Sequence, residues 1–101
     1  MAEYRKAANV KDVSSGSGMV MQIDDKRVAL FNVGGNFYAI DNTCKHRGGP
    51  LGDGELDGTT VICPWHGWQY DVTSGQCKTN PQVCVTRYDV KVEGDEIKIA
   101  L

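Results

Sequence analysis

Seven of the twelve glycines fall between Asn42 and Gln82: Gly48, Gly49, Gly52, Gly54, Gly58, Gly67 and Gly75. Each interior glycine disfavours a helix by about 1 kcal/mol relative to alanine, so this density excludes a long helix and demands tight loops. Two short apolar runs interrupt the stretch, "TTVIC" at 59–63 and "WQYDV" at 68–72, and both read as strands. A loop-rich segment of this length inside a small chain is expected to carry function, because loops rarely persist at that length otherwise.

The flanks are patterned differently. "GMVMQI" at 18–23, the acidic turn Asp24-Asp25, and "KRVALFNV" at 26–33 read as a strand pair, followed by a turn at "GGN" and a third strand "FYAI" at 37–40. Near the C-terminus "VTRYDVKVE" at 85–93 alternates, turns at Gly94-Asp95, and returns as "EIKIAL", giving a terminal hairpin. No helix of ordinary length is expected; "VKDV" at 10–13 could form a single turn. The sequence has no internal repeat. The expected fold class is all-β, an antiparallel sandwich or barrel base from which a loop-rich unit at about 42–82 projects, with residues 1–101 forming one domain.

A hydrophobic content of 41% with 24% charged residues is ordinary for a folded chain. The net charge of -2 gives no support to nucleic-acid binding, which needs clustered Lys and Arg. No segment approaches the roughly 20 apolar residues that span a bilayer, so no membrane association is expected and the cytoplasm is the expected location. In a reducing compartment, four cysteines point to metal ligation or burial before disulfides.

The chain has two histidines, and both stand close behind cysteines: Cys44-Lys45-His46, then residues 47–62, then Cys63-Pro64-Trp65-His66. The pattern is C-x-H followed by C-x-x-H. Two thiolates and two imidazoles could converge from two glycine-rich loops without a helical scaffold. Zinc accepts the same four ligands in a closed tetrahedron. Zinc modules usually pair Cys with Cys and His with His along the chain, however, whereas each loop here carries one of each. Two sulfide-bridged irons offer four terminal positions and let the Cys and His of one loop bind different metals, which suits a C-x-H spacing better. Buried thiols beside two satisfied histidines is the bland alternative.

"CKHRGGPLG" and "CPWHGWQYD" resemble the paired motifs of the Rieske 2Fe-2S proteins, and the strand blocks resemble that family's β base, so the likeness covers essentially the whole chain. The resemblance implies one 2Fe-2S cluster, with Cys44 and Cys63 on the inner iron and His46 and His66 on the outer iron through their Nδ1 atoms. It also places the imidazole edges at the surface, as the exit for the electron. With neutral imidazoles the oxidised centre carries no net charge, whereas four thiolates would make it a dianion. Adding an electron to the neutral centre costs less, so imidazole ligation raises the potential. An imidazole on ferric iron can also lose its remaining proton at alkaline pH, coupling reduction to protonation.

High-potential members of the family carry a disulfide between cysteines that would fall at positions 49 and 65; here these are Gly49 and Trp65. Where those members place a serine whose hydroxyl bonds a bridging sulfide, this chain has Trp68. Tyr70 keeps a tyrosine that bonds a cysteine sulfur in those relatives. Two of three potential-raising features are thus missing, and the expected potential lies near the low end of the Rieske range, roughly -150 mV rather than +300 mV.

Gly48, Pro64 and Pro81 are expected to shape the loops around the cluster, with "NP" at 80–81 matching the family's proline loop. Trp65 and Trp68 are candidates to shield the site or meet a partner, with core packing as the other reading. Lys45 and Arg47 flank His46 as a candidate steering patch for an acidic partner. Cys77 and Cys84 match no ligand position and are expected to be buried free thiols.

The chain has no further histidine for a mononuclear iron and no dinucleotide fingerprint, leaving an electron carrier and not an enzyme as the reading. The resemblance to stand-alone Rieske ferredoxins implies a monomer that accepts an electron from a flavoprotein reductase and passes it to a terminal oxygenase through transient docking. The small subunit of an assimilatory nitrite reductase is the alternative within redox chemistry. A structural or regulatory zinc or iron-sulfur module is the alternative from another class.

Overall fold

A computed structural model describes residues 4–23, 25–45, 48–65 and 67–100. Among these residues ten strands follow in chain order: β1 (Tyr4–Asn9), β2 (Ser17–Ile23), β3 (Lys26–Val33), β4 (Asn36–Asp41), β5 (Glu55–Asp57), β6 (Thr60–Ile62), β7 (Gln69–Asp71), β8 (Arg87–Tyr88), β9 (Val90–Glu93) and β10 (Glu96–Ala100). Single 3-10 turns occupy Val10–Asp12 and Leu51–Asp53. The strands form three antiparallel sheets, ordered β1-β10-β9, β2-β3-β4-β8 and β5-β6-β7. No helix among the described residues is long and apolar enough to cross a membrane.

Strand β3 explains how these sheets stack. Its run Val28, Ala29, Leu30, Phe31 is apolar at consecutive positions and fully buried, the mark of a strand covered on both faces. Val28 and Leu30 face a core shared with Ala8, Val13, Met21, Ala39, Ile97 and Ile99, which joins the four-stranded sheet to the β1-β10-β9 sheet. Ala29 and Phe31 face the opposite way, into a second core with Leu51, Val61, Tyr70, Val72, Cys44 and Cys63. The middle sheet is therefore shared by two cores, and the glycine-rich segment packs on one side of it only. A one-residue slip of β3 would exchange the two sets, so its pairing with β2 and β4 is strongly specified.

The terminal hairpin forms as expected, with Glu96 opposite Glu93 and Ile99 opposite Val90. The expected continuous strand at 85–93 instead breaks at Asp89. Tyr88 pairs with Ala39 in the middle sheet, while Val90 pairs with Ile99 in the terminal sheet. Asp89 is the corner where the chain changes sheets, and its carbonyl accepts the Ala100 N–H at 2.9 Å. The alternation runs unbroken through this corner, so it leaves no local trace. Strand β1 was likewise not expected: "YRKAAN" has little intrinsic β preference and is held as a strand by pairing with β10, with an irregularity between Lys6 and Ala8.

The base of the glycine-rich segment is pinned by Asn42, which is buried. Its side-chain oxygen accepts the Gly52 N–H at 2.7 Å and its carbonyl accepts the Leu51 N–H at 2.7 Å. One asparagine thus closes the first loop and anchors Leu51, which is fully buried in the second core.

Candidate metal centre

The two cysteine loops share one local design. The Cys44 N–H donates to the Gly49 carbonyl at 2.9 Å, and the Cys63 N–H donates to the Trp68 carbonyl at 2.7 Å, each bond reaching five residues ahead. Four residues after each cysteine stands a glycine in the left-handed region, Gly48 at φ +77° and Gly67 at φ +75°. A side chain at either position would be strained, so the turn that carries the chain around each loop requires glycine there. The signal was present in the sequence as the glycine four places after both cysteines in "CKHRG" and "CPWHG".

These loops bring Cys44 and Cys63 together in the second core, each 2% exposed. Burial raises the pKa of the Cys63 thiol, the Trp65 backbone acts against this, and the neighbouring Cys44 adds to the rise. Two adjacent thiols in an apolar setting resist ionisation unless a cation compensates them, which a soft, highly charged metal site does. Gly49 is buried against the pair: a Cβ there would stand 2.6 Å from Cys63 Sγ and 3.1 Å from both Cβ and Cγ of Trp65. The surroundings are shaped closely to the sulfur, and the donor set fits a thiolate-bound iron centre.

Tyr70 lies beneath the pair and is fully buried. Its phenol oxygen accepts the Lys45 N–H at 3.0 Å and stands 3.4 Å from Cys44 Sγ. Either atom can donate while Cys44 is a thiol, but a thiolate at Cys44 can only accept, so in that state the phenol proton would be directed at sulfur. Burial and the adjoining Cys44 raise the Tyr70 pKa above its ordinary value, so the hydroxyl stays protonated and able to donate.

The remaining expected residues divide. Trp68 is half-buried and packs on the second core, whereas Trp65 is 50% exposed and does not join it. Pro64, Gly48 and Lys45 are exposed on the loops. Pro81 is exposed, and its carbonyl accepts a bond from Gln76 Nε2 at 3.0 Å. His46, Arg47 and His66 lie outside the described residues, so the structure presents two of the four expected ligands. Both Cys77 and Cys84 are free thiols, but only Cys77 is buried. The expectation of burial fails for Cys84 because Val83 and Val85 take the inward positions of the alternation there, leaving the residue between them facing out.

The Rieske [2Fe-2S] domain family matches residues 3–89, and the chain belongs to it. It carries one Rieske-type 2Fe-2S cluster and is a one-electron carrier of the ferredoxin kind, not itself a catalyst. The chain is 41% identical over 98 residues to the 3-phenylpropionate/cinnamic acid dioxygenase ferredoxin subunit of Escherichia coli (strain K12), spanning 94% of this chain and 91% of that one. Among solved structures it matches a chain of the complex of reduced oxygenase and oxidized ferredoxin in carbazole 1,9a-dioxygenase. There the TM-score is 0.87 and the identity 28%, covering 96% of this chain and 92% of that one. A chain assigned as an NADH-dependent nitrite reductase small subunit from Mycobacterium tuberculosis matches with a TM-score of 0.92 at 24% identity, covering 100% and 96%. At that identity the likeness speaks for the fold alone.

Proposed function

We propose that this chain carries single electrons from a flavoprotein reductase to a terminal oxygenase, as a monomer in the cytoplasm, with Cys44, Cys63, His46 and His66 as the cluster ligands. The observation that carries the ligand assignment is the convergence of two buried thiols from two loops of the same construction, each followed by a histidine. The bound cluster supplies one reversible electron per visit. The chain's own residues hold its sulfur ligands out of water, aim a phenol proton at one of them, and present the loop residues Lys45, Pro64 and Trp65 to the surface. The ferredoxin identity of the 41%-identical relative favours an oxygenase over a nitrite reductase as acceptor.

Anaerobic reduction followed by EPR tests the ligand set. A rhombic signal whose mean g lies below the free-electron value is expected, and an all-cysteine signature or a zinc-only protein would overturn it. His46→Cys is expected to lower the potential by about 100 mV or more, because it adds a negative charge at one iron. Protein-film voltammetry of the two proteins measures that difference.

Tyr70→Phe removes only the hydroxyl. Reduction makes the sulfur more negative, so the phenol proton stabilises the reduced state more than the oxidised one. Losing a net hydrogen bond of about 1 kcal/mol is expected to lower the potential by roughly 40 mV, since tenfold in a one-electron equilibrium is about 59 mV. An unchanged potential in redox titration would show that the 3.4 Å contact does not act on the centre.

A further inference from the structure

We propose that Cys77 is a positioning residue for the redox centre: it backs the Tyr70 ring and ties it to the proline loop, so that the phenol stays aimed at Cys44. This rests on the ligand reading above, through Cys44. Tyr70 and Cys77 are antiparallel partners across the extension of β7. The bonds around them run from Asp71 N–H to the Gln76 carbonyl at 2.9 Å and from Lys78 N–H to the Gln69 carbonyl at 2.7 Å. Neither residue of the pair uses its own amide or carbonyl in these bonds, so this is the non-hydrogen-bonded kind of pair, in which facing side chains approach most closely. On its other side Tyr70 is paired with Val61. Val61, Tyr70 and Cys77 are all fully buried, forming one cross-strand row under the two cluster cysteines, with the tyrosine held between its neighbours.

Cys77 also reaches outward from this row. Its Sγ accepts the Asn80 N–H at 3.3 Å, and its own N–H donates to the Val83 carbonyl at 3.0 Å. Asn80 in turn organises the loop, its carbonyl accepting from Val83 N–H at 2.9 Å and its side-chain oxygen from Gln82 N–H at 3.2 Å. The thiol is thus the buried junction between the loop that carries Pro81 and the ring that touches Cys44. Its place in the sequence, outside both ligand motifs, gives no hint of this role. Any looseness at position 77 is passed to the phenol proton, and only through it to the cluster.

A double-mutant cycle on the full chain separates this from a structural role. Cys77→Ala is expected to shift the one-electron equilibrium about threefold toward the oxidised form, a part of the effect of losing the hydrogen bond altogether. Cys77→Ser, which keeps most of the volume and the acceptor for Asn80 N–H, is expected to restore most of the wild-type potential. In a Tyr70→Phe background, Cys77→Ala is expected to shift nothing further. An unchanged potential in the wild-type background, or the same shift in both backgrounds, overturns the proposal. Cys77→Val, which fills the site without an acceptor, is held to the same criterion, so failure of the alanine variant to assemble does not remove the test. EPR on each variant first establishes that the centre is present, which distinguishes failure of the ligand reading from failure of the role given to Cys77.

Discussion

Gly49→Ala is expected to yield a folded protein that incorporates at least roughly tenfold less iron and sulfide than the wild type. A Cβ at this position would stand 2.6 Å from Cys63 Sγ, nearer than side-chain atoms approach, and 3.1 Å from two atoms of Trp65. The sulfur cannot yield cheaply, because it is buried and has a single rotatable bond to move about. The backbone cannot yield either, because the Gly49 carbonyl holds the Cys44 amide at 2.9 Å. One methyl group therefore presses on the Cys63 sulfur and the Trp65 side chain while the Gly49 carbonyl ties its residue to the Cys44 loop, and overpacking of this kind costs about 1–3 kcal/mol.

A cysteine at 49 in high-potential relatives does not contradict this. A disulfide needs Cβ atoms about 3.5–4.5 Å apart. The 3.1 Å that a Cβ here would have to Trp65 Cβ is closer, so these two loops would have to stand further apart to hold such a bridge. Iron and sulfide content per chain, measured beside thermal unfolding of the β base, checks the prediction. Full incorporation with an unchanged melting temperature would show that the loops relax around a side chain after all.

The parts of this molecule that were legible in the sequence share a physical cause: their signals are local. The β2–β4 meander and the terminal hairpin announce themselves by alternation and by turn residues, and the shared turn of the two cysteine loops by a glycine four places after each cysteine. What could not be read depends on partners distant in sequence. Strand β1 exists because β10 lies beside it, and the break at Asp89 exists because two sheets meet there. The likeness to Rieske proteins points to Tyr70 as a sulfur contact, but only the structure shows the Lys45 amide bonded to the phenol oxygen and so holding the hydroxyl beside Cys44. Cys84 shows the converse limit. Cysteine is among the most buried residue types, but the inward sites beside it belong to Val83 and Val85.

Removing the cluster is expected to unfold one core and spare the other. Cys44 and Cys63 belong to the core beneath the glycine-rich segment, whereas the core between the middle and terminal sheets contains neither. No disulfide among the described residues replaces the cluster as a cross-link. By analogy with covalent closure of a loop of about 15 residues, joining the two ligand loops is worth about 3 kcal/mol, comparable to what short strands such as β5, β6 and β7 could lack alone. Once the ligands separate, the buried thiols and the Tyr70 hydroxyl lose their fixed geometry, and water reaches polar groups that the loops had satisfied internally. The amides of Cys44, Cys63 and Leu51, bonded to Gly49, Trp68 and Asn42, should then exchange hydrogen at near-unprotected rates. Val28, Leu30, Ile97 and Ile99 should stay protected, since their apolar partners come from sheets that the loss does not touch. Hydrogen exchange on the anaerobically chelated protein under reducing conditions reads both sets at once. A uniform collapse would show that the two cores are energetically one, and full protection at Cys44 and Cys63 would show that the loops hold their form without the metal.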